Sequence, residues 1–172
     1  MEILLRNVRS EALSDRPVKD IYLCSSATIG MLAARITPTS PNFGLLLAMD
    51  AQSVDVSQIG ELAENLASKG LAYLCAWGPD CERVHDTFDE ILVQRDLEEK
   101  DDNVVMTTWH ADDSLEETLW YFMNCAFPAQ GYEGTCEEWI VAPIGNAEWE
   151  QRIRAAAFKG PGAESSNKTE SA

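Results

Sequence analysis

Apolar side chains along this chain fall into two kinds of run. In the first they are nearly unbroken, at residues 21–24, 44–49, 71–77, 104–109 and 139–142. A strand covered on both faces has no solvent side to alternate with, so these five stretches predict buried strands. In the second, apolar positions recur every three or four residues. Val56, Ile59, Leu62, Ala63 and Leu66 share one side of a helix, Val84, Phe88, Ile91 and Leu92 share another, and Leu115, Leu119, Phe122 and Ala126 a third. A last helix is predicted over residues 147–158. From residue 44 onward strand and helix alternate, which calls for crossover connections and a mostly parallel sheet between two helical layers. The expected fold is a three-layer, Rossmann-like α/β domain with about five strands, made by residues 1–158.

The first 43 residues are less defined. TIGMLAARI (28–36) fits a short helix or an edge strand, PTSPNFG (38–44) is a turn-rich connection, and the small polar end from residue 159 predicts a disordered tail. A domain of this length buries roughly 70% of its unfolded surface, so a single core suffices. The apolar runs stop far short of the ~20 residues of a membrane-spanning helix. MEILLRNVRSEALSD has neither the apolar core nor the small-residue cleavage site of a secretory signal, which points to the cytoplasm. In that reducing setting Cys24, Cys75, Cys81, Cys125 and Cys136, odd in number and irregular in spacing, read as buried thiols rather than a disulfide frame.

Charge narrows the function classes. The formal net charge is −16, and residues 80–150 hold 19 of the 29 acidic side chains against only Arg83, Arg95 and Lys100. The rest of the chain is therefore neutral in sum. A field of this sign repels phosphate, so nucleic acid and anionic membrane surfaces are not expected partners.

A parallel sheet binds ligands beyond the carboxyl ends of its strands, where strand order switches. That end collects Asp50, Trp77 to Cys81, His110 to Asp113, and residues 143–146. The opposite end takes the segment PAQGYEGTCEE (128–138), which places Cys136 about 15–20 Å from Cys81, too far for one zinc ion to join them. Within AWGPDCERVHD (76–86), Gly78-Pro79 reads as a sharp exit from a strand with proline in the first helical turn. Cys81 lies near unpaired backbone N–H groups that favour a thiolate, but Asp80 and Glu82 oppose this. Its stripe with Val84, Phe88 and Leu92 turns it toward the core. His85 lies one turn on, in reach of Cys81 as an i, i+4 pair. Two such ligands, even with His110 and Asp80 or Asp112 drawn in, do not make a zinc pattern, so no metal is predicted. In HADDSLEE (110–117), either Ser114 with Glu117 or Asp113 with Glu116 forms a capping box. Capping leaves His110 unexplained, and beside Asp112 and Asp113 it is the strongest single candidate for a functional side chain. No Gly-rich dinucleotide loop, Walker lysine, GxSxG or HExxH accompanies these residues, so no cofactor is predicted. Trp120, Met123 and Phe127 form a second stripe beside the core face of their helix, either a partner surface or a face covered by the 128–138 loop.

The stretches WGPDCERVHD and WHADDSLEETLWYFMNCAFPAQGYEGTCEEW resemble an uncharacterised bacterial family known only as a domain of unknown function, over about residues 43–145. The resemblance implies a bacterial, cytoplasmic protein and supplies no reaction, cofactor or catalytic residue. Two functions follow from the residues themselves. The first is a non-enzymatic interaction protein, of the inhibitor or immunity-protein kind, whose acidic half meets a basic protein. The alternative is a small enzyme or ligand-binding domain at the strand ends, with Cys81 or His110 as the chemical group, His85 as a further candidate, and Asp50, Asp80 and Asp112 around it; Trp77 and Trp120 are candidate contacts for a ligand or a partner.

Overall fold

The computed structural model describes residues 1–13, 15–95 and 104–158. Their strands are β1 (Glu2–Val8), β2 (Lys19–Leu23), β3 (Asn42–Ala48), β4 (Leu71–Trp77), β5 (Met106–His110) and β6 (Cys136–Pro143). The helices are α1 (Ile29–Arg35), α2 (Val56–Ala67), α3 (Cys81–Arg95), α4 (Leu115–Asn124) and α5 (Ala147–Ala157). One sheet runs in the order β1-β2-β6-β3-β4-β5, parallel throughout except for the antiparallel β1.

The sheet has six strands where periodicity predicts about five. The extra one, EILLRNV, mixes charge with apolar residues on an edge that is half in solvent, and it is irregular besides. Its register shifts on either side of Leu5, and Asn7 takes a φ of 52°. TIGMLAARI resolves as the helix α1, because Ile29 and Leu32 find a buried place on the sheet. The predicted tail, 159–172, lies outside the described residues.

Unbroken apolar runs arise because successive residues of one strand enter two different cores. Leu45, Leu47, Leu74 and Ile140 pack under α1, α2 and α3 through Leu32, Ile59, Val84 and Phe88. Leu46, Tyr73, Trp139 and Val141 pack under α4 and α5 through Leu119, Phe122 and Ile153. Burying apolar area on both faces stabilises by roughly 25 cal/mol per Å², which is why the run from Phe43 to Ala48 in β3 and from Leu71 to Ala76 in β4 is buried without a charged side chain. Trp139 fits only because Gly44 faces it: a Cβ there would stand 2.4 Å from the indole ring.

Strand order switches at β6, which enters between β2 and β3 and sends α5 to the other face. Backbone hydrogen bonds continue past the strand ends here. Ser26 N donates to Pro143 O (3.1 Å), Ile144 N to Ala48 O (2.9 Å) and Gly145 N to Ser26 O (2.9 Å). The chain itself thus occupies the place where a sheet of this kind would open a crevice.

Candidate functional site

The carboxyl ends of β4 and β5 gather most of the residues that the sequence nominates. The chain leaves β4 at Gly78, whose φ of 113° suits glycine and whose missing side chain makes room for Met49 O, 2.4 Å from where a Cβ would lie. Pro79 and Asp80 complete the turn, Asp80 at a φ of 64°, and α3 begins only at Cys81. Proline therefore sits ahead of the helix rather than in its first turn. Asp80 accepts from Arg83 Nε (2.6 Å), and that guanidinium also donates to the carbonyls of Val54 and Ala51. An arginine thus fixes the turn, and Asp80 is committed to it. Asp50 folds back on its own loop, accepting from Gln52 N at 3.1 Å.

Cys81 is 1% exposed and faces the core cluster of Val84, Phe88 and Leu92. Burial pushes its thiol above the usual range, although backbone N–H groups, His110's among them, work the other way. Desolvation is the largest of these influences. His85 turns away from Cys81, toward β5. Its Nδ1 lies 3.0 Å from Asp86 Oδ1 and its Nε2 3.1 Å from Thr107 Oγ1 and 3.4 Å from Asp89 Oδ2, while the ring meets Trp109 at 4.5 Å. The expected Cys81–His85 pair is replaced by this contact because β5 offers a hydroxyl and a ring where Cys81 offers only a buried sulfur.

His110 stands on the opposite face of β5, under α4. Its Nδ1 is 2.7 Å from Asp113 Oδ2 and its ring meets Tyr121 at 4.5 Å. A carboxylate only accepts, so Nδ1 carries a proton, and in that neutral tautomer Nε2 is an acceptor. That atom is buried and has no hydrogen-bond partner among the described residues. Ser114 and Glu117 form the capping box of α4, the first of the two arrangements that the sequence allows. Trp77 closes the site from the side: its Nε1 donates to Asp113 O (2.8 Å) and its ring meets Trp149 edge-on at 5.1 Å. Asp112 is exposed and pairs with no cation among the described residues. Also among the described residues, no three metal-ligating side chains converge.

Trp120, Met123 and Phe127 are each half-buried, and the segment after β1 reaches this side of α4. Ser10 Oγ donates to Asn124 O, Glu11 N to Asn124 Oδ1, and the Arg16 guanidinium lies 5.2 Å from the Phe127 ring. Met123 packs against the α4 core cluster. The Trp120 indole N–H has no acceptor among the described residues.

At the other end of the sheet lies a residue that sequence reasoning missed. Lys19, 2% exposed at the start of β2, donates to the carbonyls of Phe122 (2.9 Å) and Ala126 at the end of α4. Its ammonium lies 4.2 Å from the Phe127 ring centre and 4.0 Å from that of Trp139. Burial pulls its pKa down to about 7, and Cys136 beside it is pushed up to about 12. A lysine opening a strand otherwise reads as a solvated edge residue, so its sequence carries no sign of this burial.

Fold and site together define a small three-layer α/β domain with a histidine on each face of its edge strand, each fixed by an aspartate. The chain belongs to the family described as Domain of unknown function (DUF7684), whose model matches residues 22–159. That span exceeds the 43–145 of the resemblance and leaves out β1. No curated protein matches the chain. Among the described residues, no helix is long and apolar enough to cross a membrane.

Proposed function

We propose that this chain is a non-catalytic, acidic interaction protein that docks a basic protein partner, in the manner of an inhibitor or immunity protein of the bacterial cytoplasm. The observation that carries the reading is where the uncompensated acid lies. Three arginines from outside the acidic half reach into it: Arg16 takes Glu133, Arg152 takes Glu116 and Arg154 takes Glu150. Glu82, Asp86, Asp89, Glu90, Asp112 and Asp113 form no ion pair with Lys or Arg among the described residues, and all six belong to α3 or to the turn that leads from β5 into α4; Glu117, Glu137, Glu138 and Glu148 share this on other elements. A one-signed rim of this kind steers an oppositely charged protein to one side of the molecule.

Capture from a bacterial lysate at low and high salt tests the reading. A basic protein retained at low salt should be lost from Asp86→Asn/Asp89→Asn/Glu90→Gln, and kept when three carboxylates before residue 80 are neutralised instead. Equal retention by both variants would sink it.

A second reading, a ligand-binding domain at the strand ends, is favoured by one observation: the bare, buried Nε2 of His110 beside Asp113. A small molecule with a hydrogen-bond donor would complete that atom. Native mass spectrometry that finds the polypeptide mass alone, in wild type and in His110→Phe alike, removes this alternative.

A further inference from the structure

The inference rests on the docking reading above and names the surface and the mode of binding. A sheet has two lateral edges, and here they are built differently. β1 is irregular: its register shifts twice, Asn7 sits at a φ of 52°, and Arg6 is tied to Asp20. Bulges and charged side chains are the usual means by which an edge strand is kept from pairing with another chain. β5 has neither. It pairs with β4 in unbroken register from Tyr73↔Met106 to Trp77↔His110, carries no Lys, Arg or Pro, and ends the sheet among the described residues. Every second backbone N–H and C=O of such a strand points outward. Met106 and Trp109 lie along it, 42% and 45% exposed.

The surroundings of that edge select its occupant. On the α3 face Asp89 accepts from Thr107 Oγ1 (2.6 Å) and, with Asp86, brackets His85, whose ring lies on Trp109. On the α4 face Asp113 holds His110. All three carboxylates keep about half or more of their surface in water. A second copy laid on β5 would bring the same carboxylates against these, and like charges across a strand pair destabilise it. A strand bearing lysine or arginine would meet them with the opposite sign and could lay its cation on the Trp109 ring.

We propose that the open edge of β5 takes up an extended, basic segment of the partner protein by strand addition, with one cation of that segment set against Trp109, Asp86 and Asp89. Main-chain hydrogen bonds then supply the affinity, and the acidic rim with its tryptophan supplies the selection.

The test uses the full chain and a peptide alternating lysine with valine, followed by amide NMR and hydrogen exchange. The expected result is binding at low salt, slower exchange at β5 and a shift of the Trp109 indole signal. Trp109→Ala should weaken binding about tenfold. Asp86→Asn/Asp89→Asn keeps the shape of both side chains and an amide oxygen able to accept from Thr107, so with the fold checked by the β5 amide spectrum it should flatten the salt dependence. A peptide of equal charge with proline at alternate positions cannot pair with an edge and should not protect β5. If that peptide binds equally well, if protection falls elsewhere, or if the chain pairs with itself through β5, strand addition is overturned while the basic-partner reading stands. If no basic peptide binds even at low salt, both fall together.

Discussion

At the carboxyl end of the sheet, several polar side chains each have at least one partner close by in sequence. His110 is held by Asp113, Ser114 by Glu117, Asp80 by Arg83, and His85 by Asp86 and Asp89. At the amino end Lys19 is held only across the fold, by carbonyls 103 and 107 residues away and by the rings of Phe127 and Trp139. The carboxyl end has the residue types of a reactive site in its sequence and is mostly local capping and turn fixing in the structure. The amino end has the sequence of an ordinary strand start and holds the most perturbed amine described. A group satisfied locally can be cut away with local consequences, whereas one satisfied at a distance ties elements together.

The sharpest way to break this comparison is Lys19→Ala. It leaves two carbonyls at the end of α4 without donors and a cavity between two rings, so a loss of about 3 kcal/mol or more is expected in urea unfolding. Lys19→Met keeps the volume and isolates the proton. The folded pKa of about 7 lies below the unfolded value of about 10.4, so between them the unfolded chain binds a proton that the folded chain lacks. Stability contributed in this way is present at high pH and lost as pH falls toward 7. Above roughly 8.5 the thiols of Cys75 and Cys136, both raised to about 12 by burial, act in the opposite sense, because the unfolded chain releases their protons first. Wild type should therefore gain stability from about pH 7 to about 8.5, and Lys19→Met should not. Parallel curves for the two proteins would refute the burial argument.

The carboxyl end should respond less. Cys81→Ser places a hydroxyl in apolar surroundings and should cost about 1–3 kcal/mol, with Cys81→Ala costing less. A maleimide reagent should label Cys81 mostly after denaturation. Fast labelling of native protein, slowed by His85→Ala without unfolding, would make the thiol an activated one. The smallest effect is expected from His110→Phe. It loses one bond to a half-exposed carboxylate but removes a buried acceptor that has no partner, so the net change should stay within about 1 kcal/mol. A much larger loss would mean that Nε2 is satisfied in solution and would strengthen the ligand-binding reading.

Much of this was legible before any fold was seen. The strands β3, β4 and β6 follow from unbroken apolar runs and the stripes of α2, α3 and α4 from a period of 3.6 residues, and capping at Ser114 follows from four adjacent side chains. These signals are local, so the chain carries them by itself. It also carries its net charge and the inward direction of Cys81. Tertiary structure decided the rest, because the deciding contacts join residues far apart in the chain. Packing turned His85 to Thr107 and Trp109, and it made β1 a sixth strand against β2. Arg152 of α5 was brought onto Glu116, 36 residues away, while the carboxylates beside β5 were left without such a partner among the described residues. Lys19 was buried because the end of α4 and the rings of Phe127 and Trp139 converge on it, a meeting that no spacing around residue 19 encodes.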